Sequence, residues 1–176
     1  MKRGLPTVSG APSRDHAIPL AERRALERPV IAIAHLNQLA AASRLAVQLC
    51  AALVREQASV AALVTIDNPA GAQEAESALS RMLEAGVRQA VMVRKPERDV
   101  STALTRALDQ MTDISWIVAL GNALPQLFKP YFTVVVTGHR RTLTGAEPLI
   151  LQAELEVTAP GEELATLLAR RLIDAR

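Results

Sequence analysis

Seven polar residues have the types and positions from which a functional site could be built: His35, Ser43, Asp67, Asn122, His139, Arg140 and Arg141. His35 and Asp67 could together move a proton, because a carboxylate can orient an imidazole. Arg140 and Arg141 could bind a phosphate, since each guanidinium can donate two parallel hydrogen bonds. The sequence shows no Ser-His-Asp set and no Cys/His spacing of a metal site, so we assign no catalytic residues and no metal ligands.

Each candidate also has a purely structural interpretation. His35 could cap main-chain groups, and Ser43 could hydrogen-bond to its own loop at the start of a helix. Asn122 could make a turn, and the run from His139 to Arg141 could be a solvated loop. The sequence leaves both kinds of interpretation open.

The elements that must position these residues alternate between strands and helices. The first five apolar runs lack the polar alternation of half-exposed strands, which is typical of strands covered on both faces. Alternating strands and helices predict right-handed crossovers, and therefore an α/β fold: a three-layer, mostly parallel sheet with helices on both faces. The predicted strands are Val30–Ala34, Ser59–Ile66, Gln89–Arg94, Ile114–Leu120, Phe132–Thr137 and Leu149–Val157.

Helical patterns fill the intervals between the strands. A long helix is predicted over Gln38–Gln57, and Gly86 suits the position just after a helix over Ala72–Ala85. Asp99 is placed to cap the next helix. Two further helices are predicted: a short one over Pro125–Lys129, and a last one that starts near Pro160 and buries Leu164, Leu167, Leu168 and Leu172.

Ligands of parallel α/β sheets bind beyond the carboxyl ends of the strands. A functional site is therefore expected among the segments that follow the predicted strands. These segments are His35–Ala42, Asp67–Gly71, Lys95–Asp99, Gly121–Pro125 and Gly138–Arg141.

Composition and charge divide the chain of 176 residues into two parts. Residues 1–28 contain six basic and three acidic residues, so the remaining residues carry a net charge of −1 out of a total of +2. The first part, which also holds three prolines, is predicted to be a flexible basic tail, and residues 29–176 a single α/β domain. Because the net positive charge lies in the tail and the domain is close to neutral, we expect no nucleic-acid binding.

The cysteine content and the apolar runs of the sequence predict a protein that has no internal disulfide and does not span a membrane. Cys50 is the only cysteine, which excludes an internal disulfide, and it falls within an apolar helix, where an inert core residue is expected. No uncharged apolar run reaches 18 residues, so we expect no membrane span. A cytoplasmic location is the resulting expectation.

Four stretches together suggest a family. Leu83–Val93 is similar to an Ala-Gly-Ala-Arg-Gln segment that leads into a valine-rich strand, and Asp67–Gly71 is similar to an acidic loop with proline and glycine. Asp113–Gly121 looks like a strand that runs into Glu-Gly, and Val136–Arg140 like a strand that ends in His-Arg. In their order along the chain and in their spacing, from about residue 29 to 173, these stretches resemble the molybdopterin-guanine dinucleotide biosynthesis protein B family. Its members are small P-loop GTPases that assist molybdenum-cofactor maturation.

The chain departs from this family where the chemistry is performed. A P-loop, Gly-x4-Gly-Lys-Ser/Thr, uses glycines to converge backbone N–H groups on phosphate, while its lysine adds charge and its hydroxyl holds Mg²⁺. Here Ala42 stands in place of the lysine, Ser43 in place of the hydroxyl, and Leu39-Ala40-Ala41 precede them. Leu120 replaces the glutamate before Gly121. If the resemblance holds, this is a degenerate member that is not a GTPase.

Three functions remain as hypotheses. The first is a non-catalytic, P-loop-like accessory or scaffold protein in molybdopterin-type cofactor biosynthesis, acting with a protein partner or as a homodimer. The second is a binding protein or enzyme for a phosphorylated or pterin-like small molecule, with its site at the strand ends. The third is an interaction module that docks through its basic tail. No cofactor is expected apart from a weakly bound nucleotide.

Overall fold

A computed structural model of the protein describes residues 23–66, 68–94, 99–138 and 153–175. Strands and helices alternate from residue 30 to residue 129, as predicted. The elements are β1 (Arg24–Ala25), β2 (Val30–Leu36), α1 (Leu39–Arg55), β3 (Val60–Ile66), a 3-10 turn (Pro69–Gly71), α2 (Ala72–Glu84), β4 (Gln89–Arg94), α3 (Val100–Gln110), β5 (Trp116–Leu120), α4 (Ala123–Leu127), β6 (Phe128–Lys129), β7 (Phe132–Thr137), β8 (Leu155–Val157) and α5 (Glu162–Asp174).

Six strands form one sheet in the order β4-β3-β5-β2-β7-β8, and every pairing in it is parallel. The central strands β3 and β5 are buried along their whole length, and β2 is buried from Val30 to Ala34. Their continuous apolar sequences follow from this, since helices cover both faces of the sheet. The predicted α/β fold with a parallel sheet is confirmed.

Helices lie on the two faces of the sheet and complete two separate apolar layers. On one face α1, α2 and α5 pack against side chains such as Ile31 and Ile33 of β2. On the other face α3 and α4 pack against the alternate residues Val30 and Ala32. The three-layer arrangement predicted from the sequence is therefore present. Among the described residues, no helix combines the length and the apolar character needed to cross a bilayer.

Local signals explain where two of the helices begin and end. The Asp99 carboxylate accepts a hydrogen bond from the Thr102 N–H at 2.9 Å, which caps the start of α3 as predicted. After α2, Gly86 has a φ of +98°, and the Val87 N–H donates to the Met82 carbonyl at 3.3 Å. This is the Schellman arrangement that a glycine after a helix favours.

Three helical and core predictions had different outcomes. The short helix predicted over Pro125–Lys129 is two residues too late, because α4 already ends at Leu127 and its chain continues as β6. Leu167 was predicted to be buried but is 63% exposed on the outer side of α5. Cys50 is buried as predicted, and burial raises the pKa of its thiol to about 12, which keeps it unreactive.

The beginning of the described chain corrects the predicted tail boundary. Residues 23–28 were assigned to a flexible tail, but β1 pairs in parallel with β6, and Arg23 is only 7% exposed. The folded part of the chain therefore starts before residue 29. Residues 1–22 lie outside the described residues, as do residues 149–152 of the predicted sixth strand.

Candidate functional site

Two neighbouring parallel strands at the centre of the sheet are followed by connections on opposite faces, so the side of the sheet on which the chain continues reverses between them. From β2 the chain passes into α1 on one face, whereas from the adjacent β5 it passes into α4 on the opposite face. In open α/β sheets such a reversal creates a crevice beyond the carboxyl ends of the two strands, and this is where ligands bind. We call the space between the ends of β2 and β5 the crevice.

The side chain of Asn122 closes the crevice. Its Oδ1 accepts a hydrogen bond from the His35 N–H at 2.9 Å, and its Nδ2 donates to the His35 carbonyl at 3.0 Å. One step earlier, the Gly121 N–H donates to the Ile33 carbonyl at 3.0 Å. The amide of Asn122 thus continues the pairing of β5 with β2 by one further step, beyond the last residue of the strand.

Gly121 is required by the close approach of β3 on the other side. Its φ is +123°, a conformation that residues with a Cβ rarely adopt. A Cβ at this position would also overlap with the Thr65 Oγ1. Gly121 therefore allows the chain to turn sharply out of β5 and to present Asn122 to β2.

A cavity of about 230 Å³ lies beside the crevice. It is bounded by the ends of β2, β3 and β5, the start of α1 and the 3-10 turn before α2. The hydrogen-bonding residues that line it are His35, Asn37, Thr65, Asn68 and Asn122. Within the described part of the lining there is no lysine, arginine or carboxylate, and the hydrogen-bonding groups there are amides, a hydroxyl and an imidazole.

The connection from β2 to α1 is short. It consists of Asn37 and Gln38 alone, because α1 already begins at Leu39. The Ala42 N–H, which stands where a P-loop would have its lysine, donates to the Gln38 carbonyl at 2.9 Å within the helix. Asn37 makes the turn with a φ of 55°, which asparagine tolerates better than most residues.

Ser43 does not lie at the cavity. It occupies the second turn of α1, has an exposed fraction of 0%, and is not among the described residues that line the cavity. Its hydroxyl has no hydrogen-bond partner within the described structure, so the bond back to its own loop, which the structural interpretation predicted, is not seen.

Four of the seven candidates lie outside the described residues: Asp67, His139, Arg140 and Arg141. The predicted pairing of His35 with Asp67 and the predicted anion site therefore stay predictions. Of the described residues that flank them, Asn68 lines the cavity and Gly138 lies against the Gln38 side chain. Among the described residues, no cluster of three His, Cys, Asp or Glu side chains could hold a metal ion.

Of the candidates that the structure describes, it brings together His35 and Asn122. Sequence reasoning did not anticipate that they bond directly, nor did it select Asn37, Thr65 and Asn68 as lining residues. A signal was present for two of these, since Asn37 and Asn68 both follow predicted strands closely, where asparagine often makes turns. Thr65 lies within a strand, and nothing in the sequence indicates that its hydroxyl meets Gly121.

Comparison with known proteins supports the fold and no closer relationship. No family model matches the chain, and no curated protein matches it. Among the solved structures that match is the solution NMR structure of a de novo designed protein with a P-loop NTPase fold. It has a TM-score of 0.50 and 10% sequence identity, and the match covers 85% of this chain and 93% of that chain. The chain thus has a P-loop-NTPase-like fold.

Proposed function

We propose that this protein uses a P-loop-like scaffold for binding and not for phosphoryl transfer. In this proposal it is an accessory or scaffold protein of cofactor maturation, acting with a protein partner or as a homodimer. The observation that carries the proposal is the two-residue connection between β2 and α1. The molybdopterin-type cofactor is proposed from the family resemblance of the sequence.

The short connection removes the group that phosphoryl transfer needs most. Catalysis of this reaction consists of positioning and electrostatic stabilisation of the phosphates by converging N–H groups, a lysine and Mg²⁺. Here the N–H of Ala42 is already bonded within α1, and Ala42 itself has an exposed fraction of 0%. Neither the loop nor the charge is available at this position.

The test is a hydrolysis assay with GTP and with ATP in the presence of Mg²⁺. We expect no turnover above that of a preparation of the Arg140→Ala/Arg141→Ala variant, which removes the two cations at the end of the predicted fifth strand. Turnover at the rate of an ordinary GTPase would contradict the proposal. Equal residual turnover in both preparations indicates a contaminating enzyme and agrees with the proposal.

A second candidate function is the binding of a small molecule in the cavity. The specific observation in its favour is the row of asparagine, threonine and histidine side chains along the described wall. Such groups suit a flat heterocycle with alternating donors and acceptors, so the described lining favours a pterin-like ligand over a phosphorylated one. Loss of pterin binding in the Asn122→Ala variant, with binding retained in Arg140→Ala/Arg141→Ala, supports this choice. The opposite pattern would favour a phosphate site.

A further inference from the structure

The first described residues hold the unit formed by α4 and β6. Arg23 donates a hydrogen bond from its guanidinium to the Pro125 carbonyl of α4. Two residues later β1 pairs with β6, with Ala25 opposite Lys129, and the Leu26 N–H donates to the Lys129 carbonyl at 3.2 Å. Residues 23–26, which we call the N-terminal strap, therefore bind both halves of this unit.

The Arg23 contact satisfies a carbonyl that the helix itself leaves unpaired. Helix α4 has only five residues, and the residue four positions after Pro125 is Lys129, which already belongs to β6. A short helix leaves its last carbonyls without partners inside the helix, and an arginine side chain is well suited to donate hydrogen bonds to them. Burial lowers the pKa of the Arg23 guanidinium, which agrees with its enclosed position.

The same unit carries the residue that closes the crevice. Asn122 immediately precedes α4, and Ala123 and Leu124 are almost fully buried in the apolar layer beneath it. A shift of α4 would move Asn122 with it, since only one peptide unit separates them. The position of α4 thus determines whether the Asn122 amide reaches the main chain of His35.

We propose that the N-terminal strap controls the crevice: by holding α4 in place, Arg23 keeps Asn122 bonded to His35, and release of the strap opens the space between β2 and β5. Arg23 is then a positioning residue that acts through α4. A protein partner that paired with residues 23–26 in place of β6 would free the N–H and the carbonyl of His35 at once. The inference goes beyond the proposed function and is independent of any ligand.

Amide hydrogen exchange measured by NMR tests this directly. The His35 N–H bonds to the Asn122 side chain, so its exchange rate reports whether the crevice is closed. We expect Arg23→Ala to accelerate exchange of this amide by about tenfold or more, because the loss of one hydrogen bond to a charged group loosens α4 by a comparable factor. Asn122→Ala provides the rate of the fully opened crevice.

The matched control is Arg28→Ala, because Arg28 caps a different helix from the same stretch of chain. Its guanidinium donates to the Leu108 carbonyl at 3.0 Å and to the Met111 carbonyl at the end of α3. Arg28→Ala should accelerate exchange at the end of α3 and leave His35 unchanged. If Arg23→Ala does not fold, Arg23→Met, which keeps an apolar stem of similar length but has no donor, takes its place. Unchanged His35 exchange in a folded Arg23 variant, or equal acceleration by Arg28→Ala, would overturn the proposal.

Discussion

Two adjacent residues, Gly121 and Asn122, define the site at the scale of single side chains. Gly121 is needed because its backbone conformation and the nearby Thr65 hydroxyl leave no room for a Cβ. Asn122 is needed because its amide supplies both an acceptor and a donor to one residue of β2. Few side chains other than asparagine offer this pair of groups at so short a reach.

We predict that Gly121→Ala destabilises the protein by roughly 2 kcal/mol or more, because strained backbone and a steric clash combine. Urea denaturation measures the change in the free energy of unfolding. The control is Gly161→Ala, since a Cβ there meets no atom within 4 Å, and its φ of −128° is open to any residue. Because Gly161 is the N-cap of α5, where alanine is less favourable than glycine, that control should cost at most about 1 kcal/mol. Equal stabilities of the two variants would contradict this account of Gly121.

At the scale of elements, the junction of β2 and α1 differs from the glycine-rich loop with which P-loop proteins bind phosphate. The sequence predicted this difference through its missing glycines and lysine. The predicted start of the helix, Gln38, is one residue before the observed start at Leu39, but the predicted strand ended at Ala34, whereas β2 continues to Leu36 and leaves only two connecting residues. The residues after β2 could form a loop without phosphate-binding side chains, or they could belong to the helix. Which of the two occurs depends on where the helix begins, and apolar periodicity determines this only to within a turn.

Restoring the lysine alone should therefore harm the protein without restoring nucleotide binding. We predict that Ala42→Lys destabilises it by roughly 2–4 kcal/mol, because position 42 is fully buried and a lysine there has no partner to offset desolvation. Ala40→Lys, on the exposed side of the same turn, is the matched control and should be nearly neutral. Thermal unfolding with and without GTP compares both effects. A stable Ala42→Lys protein that binds GTP would show that the loop can reform.

Strands and helices could be predicted well from this sequence because the apolar runs are long and the caps are explicit. Gln89–Arg94 and Phe132–Thr137 were predicted with their observed bounds. Prediction was less accurate where tertiary contacts decide the outcome. Residues 23–28 have a tail-like composition, yet two of their arginines bond to carbonyls at helix ends. The carbonyl that Arg23 contacts lies 102 residues away in the sequence, and the two that Arg28 contacts lie 80 and 83 residues away. The Asn122–His35 pair joins residues 87 apart, which no local pattern reveals.

At the scale of the whole molecule, the N-terminal region has two parts with different roles. Residues 23–28 are bound to the domain, whereas a docking role for the preceding basic residues remains a hypothesis. Deletion of residues 1–28 would remove both parts together, so their effects could not be distinguished. Deletion of residues 1–22 removes only the first part.

We predict that deletion of residues 1–22 leaves the melting temperature within a degree or two of the full chain. Deletion of residues 1–28 should lower it by roughly 5–10 °C, because the hydrogen bonds of Arg23 and Arg28 and the β1–β6 pairing are lost. Differential scanning calorimetry measures both. If the basic residues dock a partner protein, the shorter deletion should abolish capture of that partner while the fold persists. Equal melting temperatures of the two truncations would show that residues 23–28 contribute nothing to the fold.

The central claim is that a P-loop-like fold here lacks the means to bind a nucleotide by its phosphates. Thermal unfolding in the presence of millimolar GTP or ATP with Mg²⁺ tests it most directly. A nucleotide present at 100 times its dissociation constant would add about 2.7 kcal/mol to the free energy of unfolding. In a domain of this size that is a rise of roughly 5–10 °C in melting temperature. We predict a rise of no more than about one degree; a shift of several degrees that requires Mg²⁺ would contradict the claim.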